Sequence, residues 1–150
     1  MFSIIIPLYN KELSIKKTIY SVLNQSCQSF EILIINDGST DNSVKVVESI
    51  SDDRIRLIHQ KNQGVSSARN KGIQEARNEW VVFLDADDLW NNDHLQEVKN
   101  MMSKYQSENF FATSFKYSDG RKLFKHTRET TIFKVENYFT EAMVEPLIWT

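Results

Sequence analysis

Residues 81–88 read Val-Val-Phe-Leu-Asp-Ala-Asp-Asp, so an apolar run leads directly into three carboxylates. A continuous apolar run predicts a buried central strand of a parallel sheet, covered on both faces, and ligands of open α/β sheets bind just beyond the carboxyl ends of such strands. Carboxylates crowded at one strand end repel one another unless a positive charge lies among them. The stretch therefore predicts a site for a divalent cation that is held by oxygen ligands and shared with a phosphate.

On both sides of this stretch, strand-like apolar runs alternate with segments of helical spacing. Strands are predicted at residues 2–6, 30–36, 54–58 and 80–84. The first helix is predicted at 12–24, with Asn10 as its cap, and the second runs from a cap at Thr40 or Asp41 to Ile50. The third is predicted from Ser66 or Ser67 to Ala76, and the fourth at 93–105. Residues 54–58 alternate between polar and apolar side chains, which favours a strand near the sheet edge. The order of elements predicts a parallel sheet with right-handed crossovers.

The pattern changes after Asn109. Residues 110–117 and 121–125 flank Ser118-Asp119-Gly120, which predicts a β-hairpin, and a strand at 131–135 and a short helix at 135–144 are expected to follow. The chain closes on Pro-Leu-Ile-Trp-Thr, an apolar stretch without a partner. We therefore expect a truncated chain.

The composition is that of a one-domain protein without a strong charge bias. Its 150 residues are 41% hydrophobic and 25% charged, and the net charge of −2 argues against a nucleic-acid partner. Basic residues cluster between Lys116 and Lys134, where a solvated face is favoured over a surface for an anionic acceptor or a membrane. A single cysteine, Cys27, favours a reducing compartment. Because no apolar run approaches the length of a membrane span, the predicted location is the cytoplasm, with peripheral membrane association as the alternative.

Three loops follow predicted strands, at residues 7–12, 36–41 and 85–88. In a doubly wound sheet these loops share one rim, where ligands bind. Tyr9 offers an aromatic face for a base, and Asp37, beside the permissive Gly38, can accept hydrogen bonds from imide or ribose groups. A metal ion at Asp87 would neutralise phosphate oxygens that the acidic rim otherwise repels. The rim thus predicts a nucleotide site.

The same residues have structural interpretations that the sequence leaves open. Asp37-Gly38 is a common turn pair, and Tyr9 can cover the start of a helix. Asp88 can cap the segment after the strand, and Arg69 can be a surface arginine of a helix. The cysteine and the histidines lack the spacing of metal ligands and are expected to be structural or exposed: Cys27, His59, His94 and His126.

Four blocks, at residues 3–10, 36–41, 64–73 and 83–88, together resemble the family 2 glycosyltransferases of GT-A fold. The resemblance covers about residues 1–115 and implies a Rossmann-like α/β fold, with a mostly parallel sheet, flanking helices and a C-terminal β-hairpin. It also implies a nucleotide-binding part at about 1–108 and the incomplete start of an acceptor-side part at about 109–150.

The resemblance implies an inverting transferase that moves a sugar from a nucleotide-diphosphate donor, such as a UDP-sugar, to a saccharide or lipid-linked acceptor, as in polysaccharide assembly at the cell envelope. The residues around the base, commonly uracil, would be Pro7, Tyr9, Glu12 and Asp37, with Asp37 bonding the imide nitrogen. Arg69 would lie near the base or diphosphate and Asp85 near the ribose. Asp87 would bind Mn²⁺ or Mg²⁺ bridging the diphosphate.

Two features depart from the family pattern. Asn36 stands where many relatives carry aspartate, and we expect a small effect on binding because Asp37 matches the base-contacting position. Inverting relatives also use an aspartate or glutamate well past the D-x-D segment to deprotonate the acceptor, and no match to it precedes Thr150. The late glutamates lie in no recognisable motif, so none is assigned as the base: Glu136, Glu141 and Glu145. We therefore expect the chain to bind the donor and to transfer sugar poorly.

Other protein classes share parts of this pattern. A non-catalytic, regulatory nucleotide-binding module would have the binding residues without the base, and it stays the alternative. A dinucleotide-binding oxidoreductase would carry G-x-G-x-x-G after the first strand, where Pro7-Leu8-Tyr9-Asn10 stands instead. A phospho-accepting receiver domain would carry an acidic pair there. The sequence predicts no oligomeric state.

Overall fold

The computed structural model describes residues 1–107, in which strands and helices alternate. The strands are β1 (Phe2–Leu8), β2 (Phe30–Asp37), β3 (Ile55–Gln60) and β4 (Trp80–Phe83). The helices are α1 (Ile15–Leu23), α2 (Ser43–Glu48), α3 (Val65–Glu75) and α4 (His94–Lys104). The strand pairs are parallel and the sheet order is β3-β2-β1-β4, which confirms the predicted parallel sheet and the edge position of β3.

The continuous apolar runs of β1 and β2 form the centre of the sheet. Successive side chains of a strand point to opposite faces, so each run supplies two cores. One face packs against α1 and α4, and its buried strand residues include Ile4, Ile6, Ile32 and Ile34. The other face packs against Ala68 of α3 and contributes Ile5, Leu33 and Ile35. Helices on both faces explain why these strands show no polar alternation.

The prediction that β4 is buried on both faces is wrong, and its predicted central position in the whole sheet stays a prediction. Within residues 1–107, β4 pairs only with β1 and forms the sheet edge opposite β3. Its residues are half-buried, and Phe83 is 43% exposed. The hydrophobicity of a strand does not reveal its place in the sheet. The ring of Phe83 is partly covered by the guanidinium of Arg69, as described below.

The helix caps also differ from the predictions. The helix α1 begins after Ser14, and Asn10 does not cap it; Asn10 adopts a positive φ of 51° in the preceding loop. The helix α2 begins after Asn42, although Asp41 accepts a hydrogen bond from the Ser43 N–H at 2.9 Å, as a capping residue would. Short polar side chains compete for several neighbouring backbone groups, so their sequence positions do not fix which of them caps.

Gly72 sets the close approach of α3 to the sheet. A methyl group built on Gly72 would lie 2.4 Å from Cγ2 of Ile5, well inside van der Waals contact. Ile5 is fully buried, so it cannot move aside at low cost. The small residues Ala68 and Gly72 therefore let α3 pack directly on β1 and β2.

We expect Gly72→Ala to lower the free energy of unfolding. Overpacking against Ile5 costs about 1–3 kcal/mol, while the gain in helix propensity returns about 1 kcal/mol. Chemical denaturation of the variant beside Asn70→Ala, an exposed position on the same helix, measures the difference. Equal or greater stability of Gly72→Ala relative to the unmodified protein would contradict the close packing.

The chain divides into two units, Met1–Phe111 and Ala112–Thr150, and all elements named here belong to the first. No helix within residues 1–107 is long and apolar enough to cross a bilayer. The predicted hairpin, the strand at 131–135, the helix at 135–144 and the late basic cluster lie outside the described residues. The predicted boundary near residue 108 stays a prediction.

Candidate functional site

Loops that follow the strands meet at the carboxyl rim of the sheet. We call them the β1 loop (residues 9–14), the β2 loop (38–42), the β3 loop (61–64) and the β4 loop (84–93). Parallel pairing places their starting points side by side, with Leu8 opposite Asn36 and Asp37 opposite Gln60. The predicted convergence of the loops after β1, β2 and β4 is therefore observed.

Side chains bond the β1 loop to the β2 loop. The amide oxygen of Asn10 accepts a hydrogen bond from the Thr40 N–H at 2.8 Å. Glu12 makes three hydrogen bonds to this loop. Its carboxylate accepts from the Asn42 N–H at 2.9 Å and from Asn42 Nδ2 at 3.0 Å, and its own N–H donates to Asp41 at 3.1 Å. These contacts fix the backbone that follows Tyr9, a residue that is 48% exposed at the rim.

Asp37 is buried and organises the β3 loop. Its Oδ1 accepts hydrogen bonds from Gln60 Nε2 at 2.7 Å and the Gln63 N–H at 2.9 Å, and its Oδ2 accepts from the Gly64 N–H at 2.9 Å. A carboxylate offers about four lone-pair positions, so about one remains for a ligand, on Oδ2. The residue is 4% exposed, and it sits beside Gly38, whose φ of 74° makes the sharp turn. Asp37 thus supports the rim from within.

Asn36 lies near the end of β2, and its side chain supports the turn into the β2 loop. Its amide oxygen accepts from the Ser39 N–H at 3.0 Å, and its amide nitrogen lies 3.0 Å from Nδ1 of His59. His59 is exposed and meets Asn36 at the neighbouring strand end. The contacts account for an amide at this position, because an amide can both accept from the turn and donate to an imidazole nitrogen.

Two ion pairs, Arg69–Asp85 and Lys11–Asp87, form what we call the charged centre of the site. Arg69 and Asp85 are one half of it. The guanidinium donates to Oδ1 of Asp85 at 2.8 Å and lies 5.7 Å from the ring centroid of Phe83. Its Nε is buried and has no hydrogen-bond partner among residues 1–107. Arg69 therefore lies at the rim beside the acidic loop and is not a simple surface arginine of α3.

Lys11 and Asp87 form the other half. The ammonium of Lys11 lies 2.6 Å from Oδ2 of Asp87, and the two side chains are 42% and 49% exposed. The adjacent Asp88 caps no helix, since α4 begins after Asp93. The pKa of Asp88 is raised, first because loop packing removes water and then because Asp85 and Asp87 are negative, with Lys11 partly offsetting them.

The predicted site residues therefore fall into four groups, of which the buried Asp37, described above, is one. Arg69, Asp85 and Asp87 meet in the charged centre, and Glu12 and Tyr9 lie on the bonded β1 loop. Pro7 is within β1, half-buried and opposite Ile35, so it lies below the rim. Sequence reasoning gave no role to Lys11 or Gln60; the signal for Lys11 was a lysine in a loop expected to face three carboxylates.

A polar groove of about 550 Å³ lies apart from this centre. It runs along α3 beside the end of β3, and its lining residues are Gln60, Gln63, Ser67, Asn70, Lys71 and Gln74. None of the predicted nucleotide or metal residues lines it. The charges of the rim, and not the size of this groove, locate the candidate chemistry.

The donor atoms of the rim fit a metal ion that is shared with a ligand. Within residues 1–107, no group of three or more His, Cys, Asp or Glu side chains is arranged to hold an ion alone. Mg²⁺ is commonly bound by one or two carboxylates together with substrate phosphates. The half-exposed carboxylate of Asp87 meets that requirement.

Comparisons with known proteins point to one family. A sequence model described as Glycosyl transferase family 2 matches residues 3–149. An uncharacterized glycosyltransferase of Haemophilus influenzae is 42% identical over 105 residues, which are 68% of this chain and 42% of that protein.

Solved structures are similar over about two thirds of the chain. S. aureus TarS 1–349 in complex with UDP-GlcNAc has a TM-score of 0.66 at 28% identity, over 70% of this chain and 32% of that chain. The mannosyltransferase PcManGT from Pyrobaculum calidifontis, in complex with GDP-Man and Mn²⁺, has a TM-score of 0.63 at 25% identity, over 68% of this chain and 32% of that chain. The parallel sheet and flanking helices match these GT-A structures, and the chain spans less than half the length of each of these proteins.

We expect Asp37→Asn to destabilise the β3 loop. An amide nitrogen in place of one carboxylate oxygen would face N–H donors, and a buried donor without a partner costs about 1–3 kcal/mol. The free energy of unfolding should fall by that amount, and the amide protons of Gln63 and Gly64 should exchange faster with solvent. Asp53→Asn, at an exposed carboxylate, serves as the control. Unchanged exchange at both amides would show that Asp37 does not organise this loop.

Proposed function

We propose that this chain, which belongs to glycosyl transferase family 2, binds the nucleoside diphosphate of a sugar donor at the carboxyl rim of its sheet. The observation that carries the proposal is the meeting of the acidic β4 loop with two cations, Arg69 from α3 and Lys11 from the β1 loop. A diphosphate needs positive partners and a bound cation needs carboxylates, and this rim presents both. The donor complexes of TarS and PcManGT support the same class of ligand.

The base of the donor, which we take to be uracil, is assigned to the β1 and β2 loops. Tyr9 is half exposed and can stack on a planar ring, with Pro7 and Glu12 beside it in the chain. Asp37 has about one acceptor position left on Oδ2 for the imide N–H of the base. Because Asp37 also supports the β3 loop, base binding and loop order depend on the same carboxylate.

The diphosphate and ribose are assigned to the charged centre. Asp87 would hold Mn²⁺ or Mg²⁺ together with the phosphate oxygens, and Asp85 would accept from the ribose hydroxyls. Arg69 has a buried Nε without a partner among residues 1–107 and a guanidinium fixed by Asp85, so it can also donate to an anion nearby. When bound, the cation would neutralise the charge that develops on the departing nucleoside diphosphate.

The full reaction that we propose is transfer of a hexose, with inversion, to a saccharide or lipid-linked acceptor. Inversion follows when an activated acceptor hydroxyl attacks the sugar carbon from the face opposite the diphosphate. Residues 1–107 supply donor binding in this scheme, and we assign the general base to none of the acids in the chain. We place the reaction in the cytoplasm, in polysaccharide assembly for the cell envelope, since the single cysteine, Cys27, is free and buried.

Removal of the Asp87 carboxylate should weaken UDP binding in the presence of Mn²⁺. We expect calorimetric titration to give an affinity at least about tenfold lower for Asp87→Asn, because loss of a metal ligand should cost no less than loss of an outer-shell partner. Chelation of the metal should lower the affinity of the unmodified protein to the same level. Asp53→Asn should bind UDP normally. Equal affinities of Asp87→Asn and the unmodified protein would refute the metal role of Asp87.

Removal of the Tyr9 ring should weaken binding of the base. A stacked aromatic ring contributes about 1–3 kcal/mol per base, so Tyr9→Ala should bind UDP at least about fivefold more weakly while Tyr9→Phe keeps most of the affinity. The matched control is Leu13→Ala, since Leu13 lies in the same loop and is 90% exposed. If Tyr9→Ala and Leu13→Ala bind UDP equally well, the base does not stack on Tyr9.

A further inference from the structure

We propose that Lys11 is an internal counter-ion of Asp87, which competes with the divalent cation for the same carboxylate oxygen and leaves it when the cation binds. This inference rests on the proposed role of Asp87 as a metal ligand. It assigns a separate function to Lys11, a residue that the sequence patterns did not single out. The ammonium lies 2.6 Å from Oδ2 of Asp87. It therefore occupies the place beside this oxygen that a bound cation would need.

The backbone of Lys11 is held in place by hydrogen bonds at both its N–H and its carbonyl oxygen. Its N–H donates to Oγ of Ser43 at 2.8 Å. Its carbonyl oxygen accepts from the N–H groups of Ser14 at 3.1 Å and Ile15 at 3.0 Å, where α1 begins. The side chain therefore starts from a fixed point, and only its flexible stem must adjust to reach or leave Asp87.

The β4 loop is anchored to the same end of α1. The carbonyl oxygen of Ala86, the residue before Asp87, accepts hydrogen bonds from Oγ of Ser14 at 2.9 Å and Oγ1 of Thr18 at 3.0 Å. Ser14 thus donates hydrogen bonds to two carbonyl groups. Its backbone N–H donates to that of Lys11, and its Oγ donates to that of Ala86. The closeness of Lys11 and Asp87 is consequently set by the scaffold and does not depend on two mobile side chains meeting by chance.

The charges of the centre explain why the ammonium must give way. The carboxylates of Asp85, Asp87 and Asp88 sum to −3, and Lys11 with Arg69 contributes +2, which leaves −1 without a metal ion. A divalent cation added with Lys11 in place would change this sum to +1. It would also put two cations next to the same oxygen, Oδ2 of Asp87, where they would repel each other. Since both partners of the ion pair are substantially exposed, the ammonium can move into water at low cost.

Titration of Mn²⁺ in the presence of a fixed concentration of UDP, with Mn²⁺ and UDP without protein as the blank and with the electron paramagnetic resonance signal of the free ion as the readout, tests the competition. We expect Lys11→Met to bind Mn²⁺ about two- to fivefold more tightly than the unmodified protein, the range that loss of an exposed ion pair supports. Lys99→Met removes the same charge from an exposed lysine at the opposite end of the sheet, beside Met1 and Phe2, and should leave the affinity unchanged. The Lys11→Met change should have no effect when Asp87 is already replaced by Asn.

The outcomes separate this inference from the proposed function. If Asp87→Asn loses Mn²⁺ binding but Lys11→Met binds with equal or lower affinity than the unmodified protein, the counter-ion role is overturned and the metal role of Asp87 stands. An equal gain in Lys99→Met would trace the effect to net charge and would also overturn the counter-ion role. If Asp87→Asn binds Mn²⁺ as well as the unmodified protein does, both proposals fail.

Discussion

The repulsion among the carboxylates of the β4 loop is the constraint on which the site depends. Asp85 and Asp87 are each paired with a cation from a different element, Arg69 of α3 and Lys11 of the β1 loop. Arg69 reaches Asp85 because α3 lies close against the sheet at Gly72, where the structure leaves no space for a side chain. Packing far below the rim thus determines which charges meet at its surface.

Two aspartates that follow or end strands at the rim show how burial separates a carboxylate that supports a loop from one that is open to a metal ion. Asp37 is 4% exposed and has three hydrogen bonds that hold the β3 loop, whereas the Asp87 side chain is 49% exposed and, among residues 1–107, is paired with Lys11 alone. A buried carboxylate with several donors is costly to disturb. An exposed carboxylate with one mobile partner can exchange that partner for a metal ion, which is why the proposed chemistry centres on Asp87.

Much of the fold could be predicted from the sequence, because long apolar runs and helical spacing depend on local burial. The runs in β1 and β2, the edge position of β3 and the convergence of the loops all followed from such patterns. The exposure of β4 did not, since the covering of a strand depends on which elements pack beside it and not on the composition of that strand. The Lys11–Asp87 pair was also hidden, because its partners lie 76 residues apart and only the folded rim brings them together.

The central claim is that Asp87 holds a metal ion shared with the donor's diphosphate. A crystal structure of the chain with UDP and Mn²⁺, with anomalous scattering collected at the manganese edge, tests this claim most directly. The account predicts a manganese peak about 2.1 Å from an Asp87 carboxylate oxygen and bridged to the phosphates, with the Lys11 ammonium displaced. A peak elsewhere, or UDP bound at the rim while Lys11 still occupies Asp87, would contradict it.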